Sequence, residues 1–335
     1  MTQKITLQDS IRARARIAGR IRQTALVPSP ALSAASGGAV SLKLESTQIT
    51  GSFKLRGATN AVLSLTEEQR AAGVVGVSTG NHGRGLAYAA AQAGVRCVIC
   101  MSELVPQNKV EGIKSHGAEV RIIGRSQDEA QAEVDRLVAE GMTMLPPFDH
   151  ADIIAGQGTV ALEMLEQMPD LETVLVPLSG GGLISGVGMV LKAANPKIRV
   201  IGVSMERGAA MHECLKAGKP VQVDELPTLA DSLGGGIGLE NAYTFEMTKS
   251  FVDEVVLVSE AEIAAAIRHA YFEEREVIEG SGSVGIAALL AGKIENPGRC
   301  AVLVSGQNID MGLHKRIIDG EDVDVAAETT GGTDA

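Results

Sequence analysis

Gly51-Ser52-Phe53-Lys54-Leu55-Arg56-Gly57-Ala58 is a run in which one lysine lies among small and aromatic residues, directly after the turn signal Thr50-Gly51. A lysine amine that condenses with a carbonyl group must be partly desolvated, because desolvation lowers its pKa and populates the free amine near neutrality. Lys54 has such a setting. A lysine after Ser-Phe is most often a surface residue, so its functional interpretation depends on the rest of the chain.

The bulk composition indicates a globular α/β protein. The chain has 335 residues, of which 45% are hydrophobic and only 2% aromatic, and its net charge is −11. This length predicts two lobes or one large domain, with a core built from aliphatic side chains. The acidic balance argues against a nucleic-acid partner, because binding to phosphates depends on an excess of Lys and Arg.

The sequence gives no sign of a membrane or secreted protein. No apolar run approaches the ~20 residues needed to span a bilayer, and no apolar signal block is present near Met1. Five arginines within 12–22 could indicate a transit peptide, but Thr6 and Asp9 predict a capping box that opens an ordinary amphipathic helix. We therefore expect a cytoplasmic protein without a membrane partner.

The cysteine pattern predicts no redox or metal pair. Cys97 and Cys100 form a C-x-x-C, but they lie in an apolar run, 95–101, that is typical of a buried strand. Residues three apart on a strand point to opposite faces, so these two thiols are not expected to share a ligand.

Strand-like apolar runs alternate with helical patterns from Val74 onward, which is typical of parallel sheets built from strand-helix-strand units. The first series of predicted strands comprises 74–77, 95–101, 118–123 and 142–145. The pattern breaks at Pro146-Pro147-Phe148-Asp149. The second series comprises 173–178, 198–204, 252–258 and 300–304.

We therefore expect an α/β fold with two parallel-type open sheets and flanking helices. A small lobe of 73–149 is inserted into a large lobe formed by 1–72 and 150–325, and a cofactor is expected between the lobes. The segment 326–335, rich in Thr, Gly and acidic residues, is expected to be a disordered tail.

Three further segments accompany the lysine run: Ser78-Thr79-Gly80-Asn81-His82-Gly83, Ser179-Gly180-Gly181-Gly182-Leu183 and Ser305-Gly306-Gln307-Asn308. In this order and spacing, the four segments resemble the serine/threonine dehydratase family of pyridoxal-phosphate enzymes, which have the tryptophan-synthase-β fold type. The resemblance covers about 24–318. Further stretches are similar to the branch of hydroxyectoine utilization dehydratases, namely Leu104-Val105-Pro106, Val203-Ser204-Met205-Glu206-Arg207-Gly208-Ala209-Ala210 and Ala230-Asp231-Ser232-Leu233-Gly234-Gly235-Gly236.

The glycine run follows a predicted strand and precedes a helix, so its backbone N–H groups can converge on a phosphate at the helix N-terminus. Its spacing does not match the dinucleotide fingerprint Gly-x-Gly-x-x-Gly. By resemblance, the phosphate of pyridoxal phosphate is held by Gly180, Gly181, Gly182 and Leu183.

The resemblance also implies roles for individual side chains. Lys54 carries the cofactor aldehyde and then removes the α proton of the substrate. Phe53 packs beside the cofactor ring, Asn81 bonds its phenolic oxygen, and Ser305 faces its pyridine nitrogen. The substrate carboxylate is held by the loop that contains Ser78, Thr79, Asn81 and His82. Imidazole titrates near the working pH, but we interpret His82 as part of the loop architecture, since the lysine is the base.

Thr79 is expected to decide between elimination and racemisation. In the family, serine at this position acts as a second acid/base and supports racemisation, whereas alanine accompanies dehydration alone. Because β-branching restricts the rotamers of Thr79, we expect elimination to dominate.

A divalent cation is a second candidate ligand. Glu206, Ala210 and His212 have the spacing at which related enzymes bind a cation through a glutamate, a backbone carbonyl and an aspartate. His212 replaces the second carboxylate and weakens a site for Mg²⁺ or Ca²⁺, which prefer oxygen ligands. A helix start without a metal is an equally open interpretation.

The predicted function is β-elimination of water from a β-hydroxy-α-amino acid, with release of ammonia, by a homodimeric lyase. Ser179, Ser232 and Gln307 depart from the family pattern and indicate a substrate other than plain threonine or serine. The branch implies a ring-opened hydroxyectoine derivative. Alternatives are a threonine/serine dehydratase proper, a 3-hydroxyaspartate dehydratase, an amino-acid racemase, a β-replacement synthase and a non-catalytic protein that binds pyridoxal phosphate.

Overall fold

The computed structural model describes residues 4–78, 80–103, 105, 107–124, 127–323 and 325–326. Two predictions fall outside these residues: the role of Thr79 and, apart from Ala326, the disorder of 326–335. No helix among the described residues is long and apolar enough to cross a membrane.

The larger of two sheets has six strands in the order β1-β2-β10-β7-β8-β9. β1 pairs antiparallel with β2, and the other neighbours in this sheet are parallel. Its strands are β1 Leu26–Pro28, β2 Ala39–Leu44, β7 Thr173–Pro177, β8 Arg199–Met205, β9 Glu254–Val258 and β10 Arg299–Val304.

The smaller sheet has four parallel strands in the order β5-β4-β3-β6. Its strands are β3 Val74–Val77, β4 Cys97–Met101, β5 Glu119–Ile122 and β6 Thr143–Met144. The eight strands predicted from 74 onward are therefore confirmed, and so is the α/β fold class with two largely parallel sheets.

Helices pack against both sheets. The first half of the chain contains α1 Leu7–Ile17, α2 Pro30–Ser36, α3 Lys54–Ser64, α4 Glu67–Ala72, α5 Asn81–Gln92, α6 Gln107–Lys114 and α7 Gln127–Ala139. The second half contains α8 Ala151–Gln167, α9 Gly182–Ala194, α10 Ala210–Ala217, α11 Thr244–Phe251, α12 Glu260–His269, α13 Gly280–Leu290 and α14 Met311–Ile318. The predicted capping box opens α1, since the Asp9 carboxylate accepts from the N–H and hydroxyl of Thr6 at 2.9 and 2.8 Å.

The core consists of aliphatic side chains on the sheet faces, as the composition predicts. On β4 the side chains alternate between two hydrophobic clusters: Cys97 and Ile99 belong to one, and Val98 and Cys100 to the other. The two cysteines are buried and lie on opposite faces of the strand, as expected for residues three apart.

Helix α3 packs on the smaller sheet although it precedes that sheet in the chain. Its Leu55, Ala58 and Val62 share a buried cluster with Val74 and Leu86. The smaller sheet falls within 73–149, the segment that the sequence assigns to a small lobe, but α3 from outside the segment completes its core. The lobe boundaries stay a prediction.

The predicted site residues follow the carboxyl ends of three strands, one in the smaller sheet and two in the larger. β3 ends just before Ser78, β7 just before the glycine run, and β10 just before Ser305. In open α/β sheets, ligands bind in the crevice outside these ends. The backbone N–H of Phe53 donates to the carbonyl oxygen of Ser305 at 3.0 Å, so the start of α3 is attached to the same edge.

Candidate active site

Two cavities that share lining residues occupy this crevice. The inner cavity, of about 40 Å³, brings together predicted residues from all four segments: Phe53, Lys54, Asn81, Gly180, Gly181, Gly182, Leu183 and Ser305. The outer cavity, of about 400 Å³, is lined by the predicted substrate residues Ser78, Asn81 and His82. Lys54, Asn81, Phe148 and Ser232 line both cavities, so the two form one continuous candidate site.

Lys54 is the first residue of α3 and its amine projects into the site. Its Nζ donates to the carbonyl oxygen of Pro147 at 2.8 Å and lies 5.3 Å from the centroid of the Phe53 ring. Burial lowers the pKa of Lys54 to about 8, although the negative charge of Glu279 opposes this shift. The free amine is therefore accessible at mildly alkaline pH, as a nucleophile and proton acceptor requires.

The glycine run forms a concave turn at the start of α9. Gly181 has φ +86°, a conformation that side chains rarely adopt, and its carbonyl oxygen accepts from the N–H of Ser185 at 2.9 Å. A Cβ at Gly180 would lie 2.4 Å from the Phe148 ring, and one at Gly182 would lie 2.9 Å from the Phe148 backbone. The turn is therefore open to an anion on one side and tightly packed on the other.

Asn81 is held by two neighbours on opposite sides of its amide. Its Nδ2 donates to Glu279 Oε1 at 2.6 Å, and its Oδ1 accepts from Asn308 Nδ2 at 2.6 Å. Glu279 lines the inner cavity and was missed by the sequence analysis. Burial and the nearby charge of Asp231 raise the pKa of Glu279 to about 7, although the bonds from Asn81 and Asn308 favour the ionised form.

His82 is a structural residue of the loop. Its Nε2 lies 2.8 Å from the Leu145 carbonyl oxygen, which accepts the ring N–H. Burial, helped by the charge of Lys54, lowers the pKa of His82 to about 3. The ring is neutral at working pH and its donor is already used, which agrees with the interpretation of His82 as loop architecture.

Ser78 also shapes the loop. Its hydroxyl accepts from the N–H of Gly83 at 3.0 Å and, more weakly, from the N–H of Gly80 at 3.4 Å. These bonds satisfy N–H groups at the start of α5, which otherwise lack partners inside the helix.

The side chains of the predicted cation site lie beside other charged groups. The carboxylate of Glu206 lies 3.8 Å from Lys293 Nζ, and the imidazole of His212 lies 3.9 Å from the carboxylate of Glu213. Across the described part of the chain, no three His, Cys, Asp or Glu side chains come together as candidate metal ligands. A cation at Glu206 and Ala210 stays a prediction.

The segment that interrupts the predicted strand pattern contributes two further residues. Phe148 lines both cavities. Asp149 accepts from three successive backbone N–H groups at the start of α11, those of Ala242, Tyr243 and Thr244, at 2.5, 2.8 and 2.9 Å. Asp149 lies two residues after Pro147, and the sequence alone does not identify the helix that it caps, because Tyr243 is 94 positions away.

The residues of this site fit pyridoxal phosphate. A desolvated lysine, a helix N-terminus with an open glycine turn and a small hydroxyl, Ser305, surround one cavity. The hydroxyl of Ser281, buried against the same cavity, has no hydrogen-bond partner among the described residues and is available to a ligand. When bound, the cofactor supplies an aldehyde that condenses with amines and a ring that withdraws electrons from the substrate.

Comparisons with known proteins agree with this fit. A family model described as "Pyridoxal-phosphate dependent enzyme" matches residues 17–306. The "Putative threonine dehydratase" of Sinorhizobium fredii (strain NBRC 101917 / NGR234) is 59% identical, over 94% of this chain and 96% of its own length. The L-threonine ammonia-lyase of Thermotoga maritima is 42% identical, over 94% of this chain and 78% of its own. The solved structure of maize serine racemase has a TM-score of 0.89 and 33% identity, covering 94% of this chain and 97% of that chain.

Proposed function

The chain belongs to the pyridoxal-phosphate-dependent enzyme family, as a threonine/serine dehydratase-like ammonia-lyase, and on this basis we propose that it eliminates water from a ring-opened hydroxyectoine derivative. The observation that supports the elimination chemistry is the placement of Lys54, whereas the choice of substrate rests on the sequence resemblance and on the outer cavity. The Lys54 amine has a pKa lowered to about 8 and lines the same cavity as the glycine turn.

Each residue of the site has a proposed task. Lys54 would hold the cofactor aldehyde, and its Nζ is the proposed acceptor of the α proton of the substrate. The N–H groups of the glycine turn would hold the cofactor phosphate, and the Ser305 hydroxyl would serve the pyridine nitrogen. Asn81 would bond the phenolic oxygen, and Phe53 would pack beside the ring. The N–H groups of the loop that begins at Ser78 hold the substrate carboxylate.

The chemistry of hydroxyectoine constrains the substrate. Both nitrogens of the intact ring belong to an amidine, so the ring offers no free primary amine to the cofactor aldehyde. A ring-opened 3-hydroxy-2,4-diaminobutyrate, free or acylated on the distal nitrogen, has that amine and a β-hydroxyl. We therefore propose this compound class as the substrate.

The outer cavity supports a substrate longer than threonine. It has a volume of about 400 Å³, and its lining includes Glu225 and Asp231 as well as Lys54. Lys109 Nζ lies 2.8 Å from Asp231 Oδ2 and balances one of these charges. The carboxylate of Glu225, which lines the same cavity, is the proposed partner of a distal amine on the substrate.

Ammonia release across a substrate panel tests the proposal. We expect the highest kcat/KM with 3-hydroxy-2,4-diaminobutyrate or its distal N-acyl form, ahead of threonine, serine and 3-hydroxyaspartate. Glu225→Gln should lower kcat/KM for the free diamino acid and leave the value for threonine unchanged. A preference for threonine, or turnover of the intact ring without a ring-opening enzyme, would contradict the proposed substrate.

Threonine dehydration is the second candidate activity, because two of the relatives above carry that activity in their names. Racemisation is a further alternative, suggested by the likeness to maize serine racemase. Incubation in D₂O separates the two: deuterium at Cα of recovered substrate with inverted configuration indicates racemisation, and keto acid without such exchange indicates elimination.

The assembly of a homodimer in the cytoplasm is also part of the proposal. Light scattering on the purified holoenzyme tests the oligomeric state, and a monomer at micromolar concentration would contradict it.

A further inference from the structure

Both the Nδ2 and the Oδ1 of the Asn81 amide make hydrogen bonds, so the partners of these atoms determine the orientation of the amide. Its Nδ2 lies 2.6 Å from a carboxylate oxygen of Glu279, which can only accept while ionised. Its Oδ1 lies 2.6 Å from Nδ2 of Asn308, which can only donate. Asn81 itself is 6% exposed and lines both cavities.

Further hydrogen bonds fix Glu279 as the acceptor and Asn308 Nδ2 as the donor in these two contacts. Glu279 Oε2 also accepts from the backbone N–H of Asn308 at 3.0 Å, a donor that cannot rotate. Asn308 Nδ2 also donates to the carbonyl oxygen of Thr50 at 3.0 Å, which holds its amide nitrogen on that side. The hydrogen bonds that link Thr50, Asn308, Asn81 and Glu279 in series are therefore compatible with only one orientation of the Asn81 amide.

That orientation leaves one N–H of Asn81 for a ligand. One of its two Nδ2 hydrogens goes to Glu279, and among the described residues the only other acceptor is Ser232 Oγ at 3.5 Å, at the limit of hydrogen bonding. A reversed amide would instead present its carbonyl oxygen, which repels the phenolic oxygen of the cofactor.

We propose that Glu279 and Asn308 are positioning residues, which together orient Asn81 so that it presents an N–H donor to the phenolic oxygen of pyridoxal phosphate. The inference rests on the proposed contact of Asn81 with that oxygen, and it holds whichever amino acid the enzyme accepts. It assigns a task to the last residue of the run Ser305-Gly306-Gln307-Asn308.

The side chain of Asn308 packs against Gly51, where the absence of a Cβ leaves room for it. Gly51 has φ +76°, and a Cβ there would lie 2.6 Å from Asn308 Oδ1. The carbonyl oxygen of Gly51 accepts from the N–H of Gln307 at 2.9 Å. The turn before Lys54 and the segment after β10 are thus joined where Asn308 reaches Asn81.

The ionised form of Glu279 is the one that can accept both N–H groups. Glu279 interacts electrostatically with four charged groups: Lys54, Asp231, Lys109 and Arg84. Burial and Asp231 raise its pKa to about 7. Below that pH the carboxyl gains a proton and offers fewer acceptors, so the orientation of Asn81 weakens as the pH falls.

Glu279→Gln tests the inference, because glutamine has one acceptor for two donors and its amino group repels either Asn81 Nδ2 or the N–H of Asn308. Glu276→Gln is the matched control, since Glu276 is a half-buried carboxyl with a pKa also raised by burial, but it lines neither cavity. The dissociation constant for pyridoxal phosphate and the pH titration of the bound cofactor's visible absorption are measured for each variant.

We expect Glu279→Gln to bind pyridoxal phosphate about tenfold more weakly than wild type and to lose an absorption change centred near pH 7. Glu276→Gln should keep both properties. The inference is overturned if Glu279→Gln matches the control in affinity and in titration midpoint.

Asn308→Ala keeps the test decisive if Glu279→Gln does not fold. It removes the other partner of Asn81 and should also weaken cofactor binding, by about tenfold. Asn81→Ala separates the two levels of the proposal: if it leaves affinity and absorption unchanged, the contact of Asn81 with the cofactor is wrong and the inference falls with it. If Asn81→Ala weakens binding and neither partner variant does, only the positioning roles are wrong.

Discussion

The guanidinium of Arg56 donates to both carboxylate oxygens of Glu45, at 2.8 and 2.7 Å, in a region where neither side chain is exposed. Arg56 also bonds Glu163 at 2.6 Å, and Lys43 Nζ bonds Glu163 at 2.7 Å. Two positive and two negative charges are thus buried together with no net charge. Burial alone would raise the pKa of Glu45, but Arg56 holds it below the ordinary value. Because Arg56 follows Lys54 by two residues on α3, this cluster anchors the helix that begins with Lys54.

Arg56→Met should lower the free energy of unfolding by about 3–5 kcal/mol, because it leaves two carboxylates buried with one cation between them. Urea unfolding followed by circular dichroism measures the effect. Arg14→Met is the control: Arg14 pairs with Glu166 at the surface, where both side chains are about half exposed, and should lose less than about 1 kcal/mol. Equal losses in the two variants would show that the buried cluster is not a special source of stability.

Lys54→Met should stabilise the protein freed of pyridoxal phosphate. The folded pKa of about 8 lies below the ordinary lysine value of 10.5, so the folded state disfavours the charged amine. The contribution of Lys54 to the stability of the wild type is therefore most unfavourable below pH 8 and becomes less unfavourable as the pH rises from 8 to 10.5. At pH 7 the variant should gain up to about 3 kcal/mol.

Chemical denaturation of both apo proteins at pH 7, 9 and 10.5 gives the comparison, and the advantage of the variant should shrink at each step. A constant difference across this range would contradict a lowered pKa for Lys54.

Gly181→Ala should weaken binding of pyridoxal phosphate by at least about tenfold. A Cβ there would lie 2.8 Å from Met211 Cε and 2.9 Å from Thr248 Oγ1, in addition to the strain of φ +86°. Gly218→Ala has comparable strain, at φ +72°, but its Cβ meets nothing within 4 Å. Fluorescence titration with the cofactor should therefore show a loss for the first variant alone, and a similar loss for both would assign the effect to global destabilisation.

His82→Gln should leave the midpoints of the pH–rate profile unchanged between pH 5 and 8. The wild-type imidazole, with its pKa lowered to about 3, is neutral throughout this range, and a glutamine amide can still donate to the Leu145 carbonyl. Steady-state rates of ammonia release measure the profile. Disappearance of one limb of the profile in the variant would identify His82 as an acid/base group and contradict the structural role.

The sequence predicts the site best where the residues of one short run are enough to determine its local backbone conformation. Gly180 to Leu183 follow a predicted strand and lead into the first turn of a predicted helix, so their position at a helix start can be predicted. Lys54 is predicted from its neighbours in the chain and from the three other segments that accompany the lysine run. Glu279 is not, because a single acid before the small residues 280–283 looks like an ordinary helix cap, and its partners are 198 and 29 positions away.

β1 and β2 are absent from the prediction for a related reason. β1 has three residues and ends in proline, which is too short for an alternating pattern to be recognised. β2 contains Lys43, and a lysine in an apolar run argues against a fully buried strand. Its charge is balanced by Glu163, 120 positions later, so only the folded chain shows that the strand is buried.

The short strand β1 also affects how the molecule behaves among its own copies. It forms one margin of the six-stranded sheet, and its last residue, Pro28, has no N–H to give to an approaching chain. Three residues running against the direction of the parallel strands provide a poor template for further pairing. This margin of the six-stranded sheet is thus protected against pairing with the sheet of another copy at high concentration.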